Sequence, residues 1–311
     1  MFHNGTVRAK TVHELERGKN SANMKDSINL VYLTCCDYPI WSTQVMKALM
    51  AAYQAKLYRK SISAVAMIEG SFPKIVLAWV VFVVLAGILR ISFALSPINS
   101  SASLLQTVIP YVLLGLSPLA AFWIADQLFP RGALMQQPEI RLSRYGKWQS
   151  VDVLAARAHP LFGPTGMMAS LLIGMLINVP VRSLEFLAAV PAMNGNAPLW
   201  GQVLFAAMTF DVVVMNFLYV LCFMAALRCA PWFPRFLVVV WGLDISSQLL
   251  MGQIVGGTAG LPPGVGEALS TFLQGNLQKV MISMAIWLPY LILSERVNLT
   301  YRARVVLAPA Q

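Results

Sequence analysis

The chain has 311 residues, 58% of them hydrophobic and 12% charged, with a mean hydropathy of +0.65 and a formal net charge of +10. Soluble domains carry about 25% charged residues, so this composition excludes both an ordinary water-soluble globular protein and a disordered chain. The apolar residues come in long blocks, which makes lipid the expected solvent.

Residues 1–27 hold Arg8, Lys10, Arg17, Lys19 and Lys25 with no apolar stretch among them, so no secretory signal peptide is expected, and Met24 offers a second start. The apolar run Ile28–Leu33 ends at Thr34 and is too short to span. From Pro39 onward, Trp41, Val45, Leu49, Tyr53 and Leu57 recur at helical spacing with Met46 and Met50 beside them, while Lys56, Arg59 and Lys60 crowd the far end. This pattern predicts an amphipathic cytoplasmic helix over 39–60. Either it lies on the inner leaflet with its lysines at anionic headgroups, or it packs on the loop 130–164.

A crossing helix needs roughly 20 mostly apolar residues. Six stretches qualify: about Ile75–Leu95, Leu104–Phe129 with Pro110 and Pro118, Thr165–Phe186 with Pro180, Leu199–Leu227, Phe236–Val255 and Leu277–Leu293. The first is expected to act as an uncleaved anchor. Lys and Arg alternate between them. Ten lie in residues 1–74, five in 130–164, Arg228 and Arg235 in 228–235, and Arg296, Arg302 and Arg304 after Leu293, whereas 96–103, 187–198 and 256–276 hold none. Basic loops stay cytoplasmic, so both termini are expected inside. That alternation accounts for most of the net charge without invoking nucleic acid. No internal repeat is visible, which weakens the inverted-repeat pattern of many transporters. The expected organisation is a cytoplasmic N-terminal region (1–74), a two-span segment (75–129), a basic cytoplasmic loop (130–162), a four-span membrane domain (163–302) and a cytoplasmic tail (303–311).

The four-span half carries Gly163-Pro164-x-Gly166 where its first span opens and Pro180-Val181-Arg182 near that span's outer end. Phe233-Pro234-Arg235 follows between the next two spans, and the ending reads Trp287-Leu288-Pro289-Tyr290, Ser294-x-Arg296-Val297 and Thr300-Tyr301. Over roughly residues 160–302 these pieces resemble the YdgK-like bacterial inner-membrane family, which is catalogued only as a domain of unknown function. The resemblance implies a four-span helical domain in a bacterial inner membrane and implies no activity. The chain departs from the family pattern at Met167-Met168, where an aromatic is usual, and its first 160 residues have no counterpart.

Ionisable groups at membrane depth cost about 2.5–3.5 kcal/mol on insertion scales, so each needs a reason. By helical rise, Asp211 lies about 18 Å from the outer end of its span and Asp244 about 12 Å from the cytoplasmic end of its own, both near mid-membrane. Lys279, Arg182 and Glu185 lie in the outer part, and Arg90 in the outer half of the first span. Asn178, Arg182, Asp211, Asp244, Gln248 and Lys279 are therefore candidates for a polar cavity open to the outside, able to bind a small polar ligand or relay a proton. The structural alternative pairs Asp211 or Asp244 with Lys279, and Arg182 with Glu185, as packing devices only.

No catalytic, cofactor-binding or metal residues are expected. G-x-S-x-G and H-E-x-x-H are absent, and His3, His13 and His159 lie outside the spans. Cys35, Cys36, Cys222 and Cys229 form no C-x-x-C pair and read as reduced thiols rather than as a zinc site or disulfide framework. The run Gly256-Gly257-x-x-Gly260-Leu261-Pro262-Pro263-Gly264 lacks the Lys-Ser/Thr of a phosphate loop and reads as a flexible outer linker. An acid pair of Asp211 with Asp244 lacks the flanking glycines of intramembrane aspartyl proteases, which leaves a membrane-embedded enzyme the weakest reading. The fold class expected is all-α, a polytopic membrane protein with six transmembrane helices. The leading expectation for function is a non-enzymatic scaffold or accessory subunit in contact with the lipid bilayer, anionic lipids at the cytoplasmic face and a membrane-protein partner. The alternative is a small-solute or proton-coupled permease using the intramembrane carboxylates.

Overall fold

The computed structural model describes residues 38–133, 135, 137 and 146–307, with only part of the side chains between 38 and 57. Residues 1–27, Cys35, Cys36, His3, His13, and Arg141 and Arg144 of the basic loop lie outside the described residues. Leu57–Gln311 form one compact unit and Met1–Lys56 a separate one.

In lipid, each backbone N–H and C=O has to be satisfied within its own segment, so the apolar blocks form helices. The long ones are α1 (Tyr38–Ser92), α2 (Ser101–Leu128), α4 (Met167–Ala189), α5 (Leu199–Leu227), α6 (Phe233–Gly256) and α7 (Pro263–Leu293). Between α2 and α4 come β1 (Trp148–Ser150) and α3 (Val153–Ala158), and after α7 come α8 (Glu295–Arg302) and β2 (Arg304–Val306). All six long helices contain a stretch long and apolar enough to cross a membrane, which in α1 is Tyr58–Ser92. The protein is an all-α multi-pass membrane protein, and its one sheet among the described residues is the antiparallel β1–β2 pair, Trp148 opposite Val306.

Two elements differ from expectation. In place of an amphipathic helix over 39–60 and a separate span from Ile75, one helix runs through both. Between them only Gly70 and Pro73 weaken helix, while Ile68 is buried and Val65 and Phe72 pack on the core, so packing holds the segment helical. The apolar face expected over 39–60 falls largely on side chains outside the described residues, and of them Val45 and Leu49 are exposed. At the other end, α7 begins at Pro263 rather than Leu277. Pro262 and Pro263 pre-set the first turn, and Leu269, Leu273 and Asn276 recur on a buried face. The proposed linker therefore ends inside a helix.

Helix starts follow local chemistry. Ser100 caps α2 in a reciprocal box: Ser103 N–H donates to Ser100 Oγ at 3.2 Å and Ser100 N–H to Ser103 Oγ at 3.0 Å. Before α4 the chain turns at Gly163 (φ 103°) and Gly166 (φ 68°), conformations that side chains with a Cβ resist.

α5 is the hub, packing on α2, α4 and α6, while α7 packs on α6. Lipid tails are as apolar as leucine, so close contact and interhelical hydrogen bonds hold these helices together. Trp79 Nε1 donates to Gly115 O at 3.0 Å and Ser117 Oγ to Val213 O at 2.6 Å. Two buried apolar clusters result. One gathers Leu172, Phe223, Leu237 and Trp241, and the other Leu114, Phe186, Phe205 and Val255. The intramembrane charges sit where these clusters meet.

The basic and the charge-free connections collect at opposite ends of this unit. At one end, Gly195 N–H donates to Gln106 Oε1 at 2.9 Å and Asn196 Nδ2 to Pro97 O at 3.0 Å, joining two charge-free connections. At the other, a cap joins residues 146–166, 228–235 and 294–306. Gly163 N–H donates to Thr300 Oγ1 at 3.1 Å, Arg296 Nη1 to Thr165 Oγ1 at 2.6 Å, and Tyr301 Oη to Ala226 O at 2.9 Å, with Phe233 against the Tyr301 ring at 5.1 Å. Of the motif pieces that carry the family resemblance, Gly163, Phe233, Arg296 and Thr300-Tyr301 thus come together in this cap, whereas Pro180-Val181-Arg182 lies inside α4, away from it. Within it, burial pushes the Tyr301 phenol well up and the Cys229 thiol to about 12, and burial together with Arg304 and Arg235 brings Arg302 down to about 10.

Candidate functional site

Arg182 lies on the stripe of α4 that also carries Met175, Val179 and Phe186, all buried, so its guanidinium is driven inward between α5 and α6. There it meets two carboxylates. Its Nη1 and Nη2 donate to Asp244 Oδ2 and Oδ1 at 3.0 and 2.9 Å, a forked pair, and Nη2 also donates to Asp211 Oδ2 at 2.8 Å. Arg182 and Asp211 are each 8% exposed and Asp244 is fully enclosed.

A polar shell completes the set. Tyr219 Oη donates to Asp244 Oδ2 at 2.8 Å. Gln248 Nε2 donates to Asp211 Oδ1 at 3.2 Å and reaches Asp244 Oδ1 at 3.5 Å. Ser247 Oγ lies 2.6 Å from Asp211 Oδ1. The chain of bonds then runs toward the surface: Asn276 Nδ2 donates to Gln248 Oε1 at 3.5 Å, Lys279 Nζ donates to Asn276 Oδ1 at 3.3 Å, and Lys279 pairs with Glu185.

The pairings expected from sequence are thus exchanged: Arg182 holds both aspartates and Lys279 takes Glu185. The reason is rotational. Arg182 shares the buried face of α4, and its planar fork suits two carboxylates in a dry site. Lys279 sits at the rim, its side chain 57% exposed, where a compact ammonium keeps its water.

Of the six candidates, Arg182, Asp211, Asp244 and Gln248 come into direct contact, Lys279 joins through Asn276, and Asn178 lines the same cavity half-buried. That cavity, about 160 Å³, opens beside α4, α6 and α7 and is also lined by Tyr219, Trp241, Ser283 and Trp287. Arg182 Nε is buried with no acceptor in reach. A larger cavity of about 480 Å³ between α2 and α5, walled by Pro110, Phe205, Phe210 and Val213, is mostly apolar and does not include the charged groups.

Tyr219, Ser247 and Asn276 were missed from the sequence, although each lies at helical spacing from a candidate: Tyr219 eight after Asp211, Ser247 three after Asp244 and Asn276 three before Lys279. Arg90 has a different role. Its Nη2 donates to Ala188 O at 2.9 Å and Val190 O at 3.3 Å, covering carbonyls that the end of α4 leaves open. Asn216 bonds Ser183 Oγ at 2.8 Å beside the site. Among the described residues no group of three His, Cys, Asp or Glu is placed to hold a metal ion. Comparison with family models, with curated proteins and with solved structures returns no match.

Proposed function

We propose that this chain is a permease for a small polar solute in a bacterial inner membrane, and that the solute engages the cavity beside α4, α6 and α7. The observation that carries this reading is a buried Arg182, shared by two carboxylates, whose remaining Nε–H has no partner while its side chain lines an open cavity. A buried unsatisfied donor costs about 1–3 kcal/mol. On this reading the open donor is met by an acceptor group of the solute. Cavities for drug-sized ligands run about 300–1,000 Å³, so this one suits a small molecule. Asn178 and Tyr219 supply further polar walls and Trp241 and Trp287 apolar ones. The YdgK-like pieces and the alternation of basic loops support the inner-membrane assignment with both termini inside. Exposed Arg59, Lys60 and Lys74 in the first part of α1, ahead of its uninterrupted apolar run from Ile75, support contact with anionic lipids of that face.

The test is aqueous access. In a variant with all four native cysteines replaced, Asn178→Cys is treated with a membrane-impermeant thiol reagent in sealed vesicles. Rapid labelling, slowed by the transported solute, is expected. Full protection, with Ser283→Cys equally protected, would instead favour the scaffold or accessory-subunit reading, in which the polar layer only locks helices together.

A further inference from the structure

Four charged side chains stand on the walls of the cavity beside α4, α6 and α7, and all four are already paired. Arg182 forks onto Asp244, and Lys279 pairs with Glu185 at the rim. Asp211 is held behind the same guanidinium and is not part of the wall. The oxygens of the two aspartates are taken as well. Both oxygens of Asp244 accept from Arg182, one of them also from Tyr219, while Asp211 accepts from Arg182 on Oδ2 and from Gln248 on Oδ1. A hard metal cation needs several oxygen ligands at once. Here it would meet a guanidinium and an ammonium and find no open oxygen on either aspartate. An anion is no better placed. Two carboxylates already share Arg182, so a third negative group would enter beside an excess of negative charge with Nε–H alone to hold it.

The groups left open suit a neutral partner. From the Glu185–Lys279 pair the wall follows Arg182, Asn178 and Gly174 along α4, and Ser283 and Trp287 along α7, each set at helical spacing. Arg182 Nε–H is a donor without an acceptor. Tyr219 gives its one hydrogen to Asp244, which leaves its oxygen able to accept. The Asn178 amide and the Ser283 hydroxyl make no side-chain hydrogen bond among the described residues, and each can both donate and accept. Trp241 and Trp287 supply flat apolar surface beside them. The cavity volume of about 160 Å³ matches the liquid volume of roughly five water molecules.

We infer that the solute is uncharged, a small molecule of the alcohol or amide class. Its oxygen accepts from Arg182 Nε, its hydroxyl or N–H hydrogens go to Tyr219, Asn178 or Ser283, and its carbon skeleton lies against the two tryptophans. This deepens the permease reading and rests on it for its use. The paired charges then serve to fix the direction of one N–H and one phenol oxygen, and the solute crosses without moving charge through the membrane potential.

A reporter at Gly174 reads the cavity without touching any of these groups, because a Cβ there meets nothing within 4 Å. In the full-length protein with its four native cysteines replaced, held in lipid nanodiscs, Gly174→Cys is labelled with an aqueous thiol reagent. Glycerol, urea, sodium acetate, methylammonium chloride and sucrose are each added at equal concentration. Glycerol or urea should slow labelling, about twofold when the probe equals its dissociation constant, and whichever does so separates the alcohol from the amide. The two salts should leave the rate unchanged, as should sucrose, which is too large. The slowing should be lost when Asn178→Leu and Ser283→Ala are added. Slowing by acetate or methylammonium, or by neither glycerol nor urea, would overturn the inference and leave the permease reading standing on a cavity open to water. Complete protection of Gly174→Cys with no solute added would overturn both. Should that variant fail to fold, Ser283→Cys makes the same comparison. If glycerol or urea slows labelling, yet vesicles holding the protein swell in it no faster than protein-free ones, the binding site stands and the permease falls.

Discussion

Arg182 is the side chain on which the membrane interior of this protein turns. Removing one partner of a buried ion pair costs about 3–5 kcal/mol because the other charge is left unpaired. Arg182→Gln is accordingly expected to lose that much stability, read as a fall in melting temperature in detergent or as failure to accumulate. Adding Asp244→Asn to Arg182→Gln should recover part of it. Lys279→Ala, at the wet rim, should cost about 0–1 kcal/mol, and exchanging Lys279 with Glu185 should be tolerated. Exchanging Lys279 with Asp211 should not be, since it would place a second positive charge against Arg182. Cys229 gives a pH-dependent prediction outside the spans. Burial lifts its thiol from an ordinary value near 9 to about 12. The folded state then keeps a proton that the unfolded chain loses, so stability from this group is full below pH 9 and declines as the pH rises toward 12. Melting temperatures across that window should fall more steeply in the parent than in Cys229→Ala, and the Cys229 thiol should resist alkylation at pH 8 in the native state.

At the scale of the elements, what a single sequence conveys is depth, and what it withholds is rotation. The apolar blocks mark α2, α4, α5 and α6 to within three residues, because a bilayer demands a minimum run of apolar residues whatever the neighbours are. The same blocks do not say which way Arg182 turns about the α4 axis, so proximity in sequence points to Glu185 as its partner and leaves the aspartates to Lys279. Nor do they separate a helix on the membrane surface from one continuing into it. Pro73 and Gly70 look like a break, yet α1 runs on through both because Ile68 and Phe72 find packing partners. Asn276 and Tyr219 escaped notice because neutral polar residues carry no penalty large enough to flag them. Gly163 was legible, and its conformation shows why that motif opens with glycine: at φ 103° with nothing crowding it, the obstacle to a side chain is backbone strain alone. Gly163→Ala should cost about 1–3 kcal/mol, measured by thermal unfolding, and should loosen the Thr300 contact without altering the charged layer.

For the whole molecule, charge alternation and helix count point to one topology. Reporter fusions at Gly146 and after residue 307 should read as cytoplasmic, and those at Asn196 and Gly264 as external; a single reversed reading would dismantle the six-span arrangement. The cap adds an order to assembly. Its closing strand, Arg304–Val306, pairs with Trp148–Ser150, more than 150 residues earlier in the chain. While the ribosome is still feeding α5 or α6 into the bilayer, the stretch around Trp148 and the turn at Gly163 wait for partners that have not yet been translated. Early helices can enter one by one, but the cap that ties three of the chain's basic segments together can close only once Val306 has been translated, and a nascent chain halted before Tyr301 would carry its helices with that end still open to proteases.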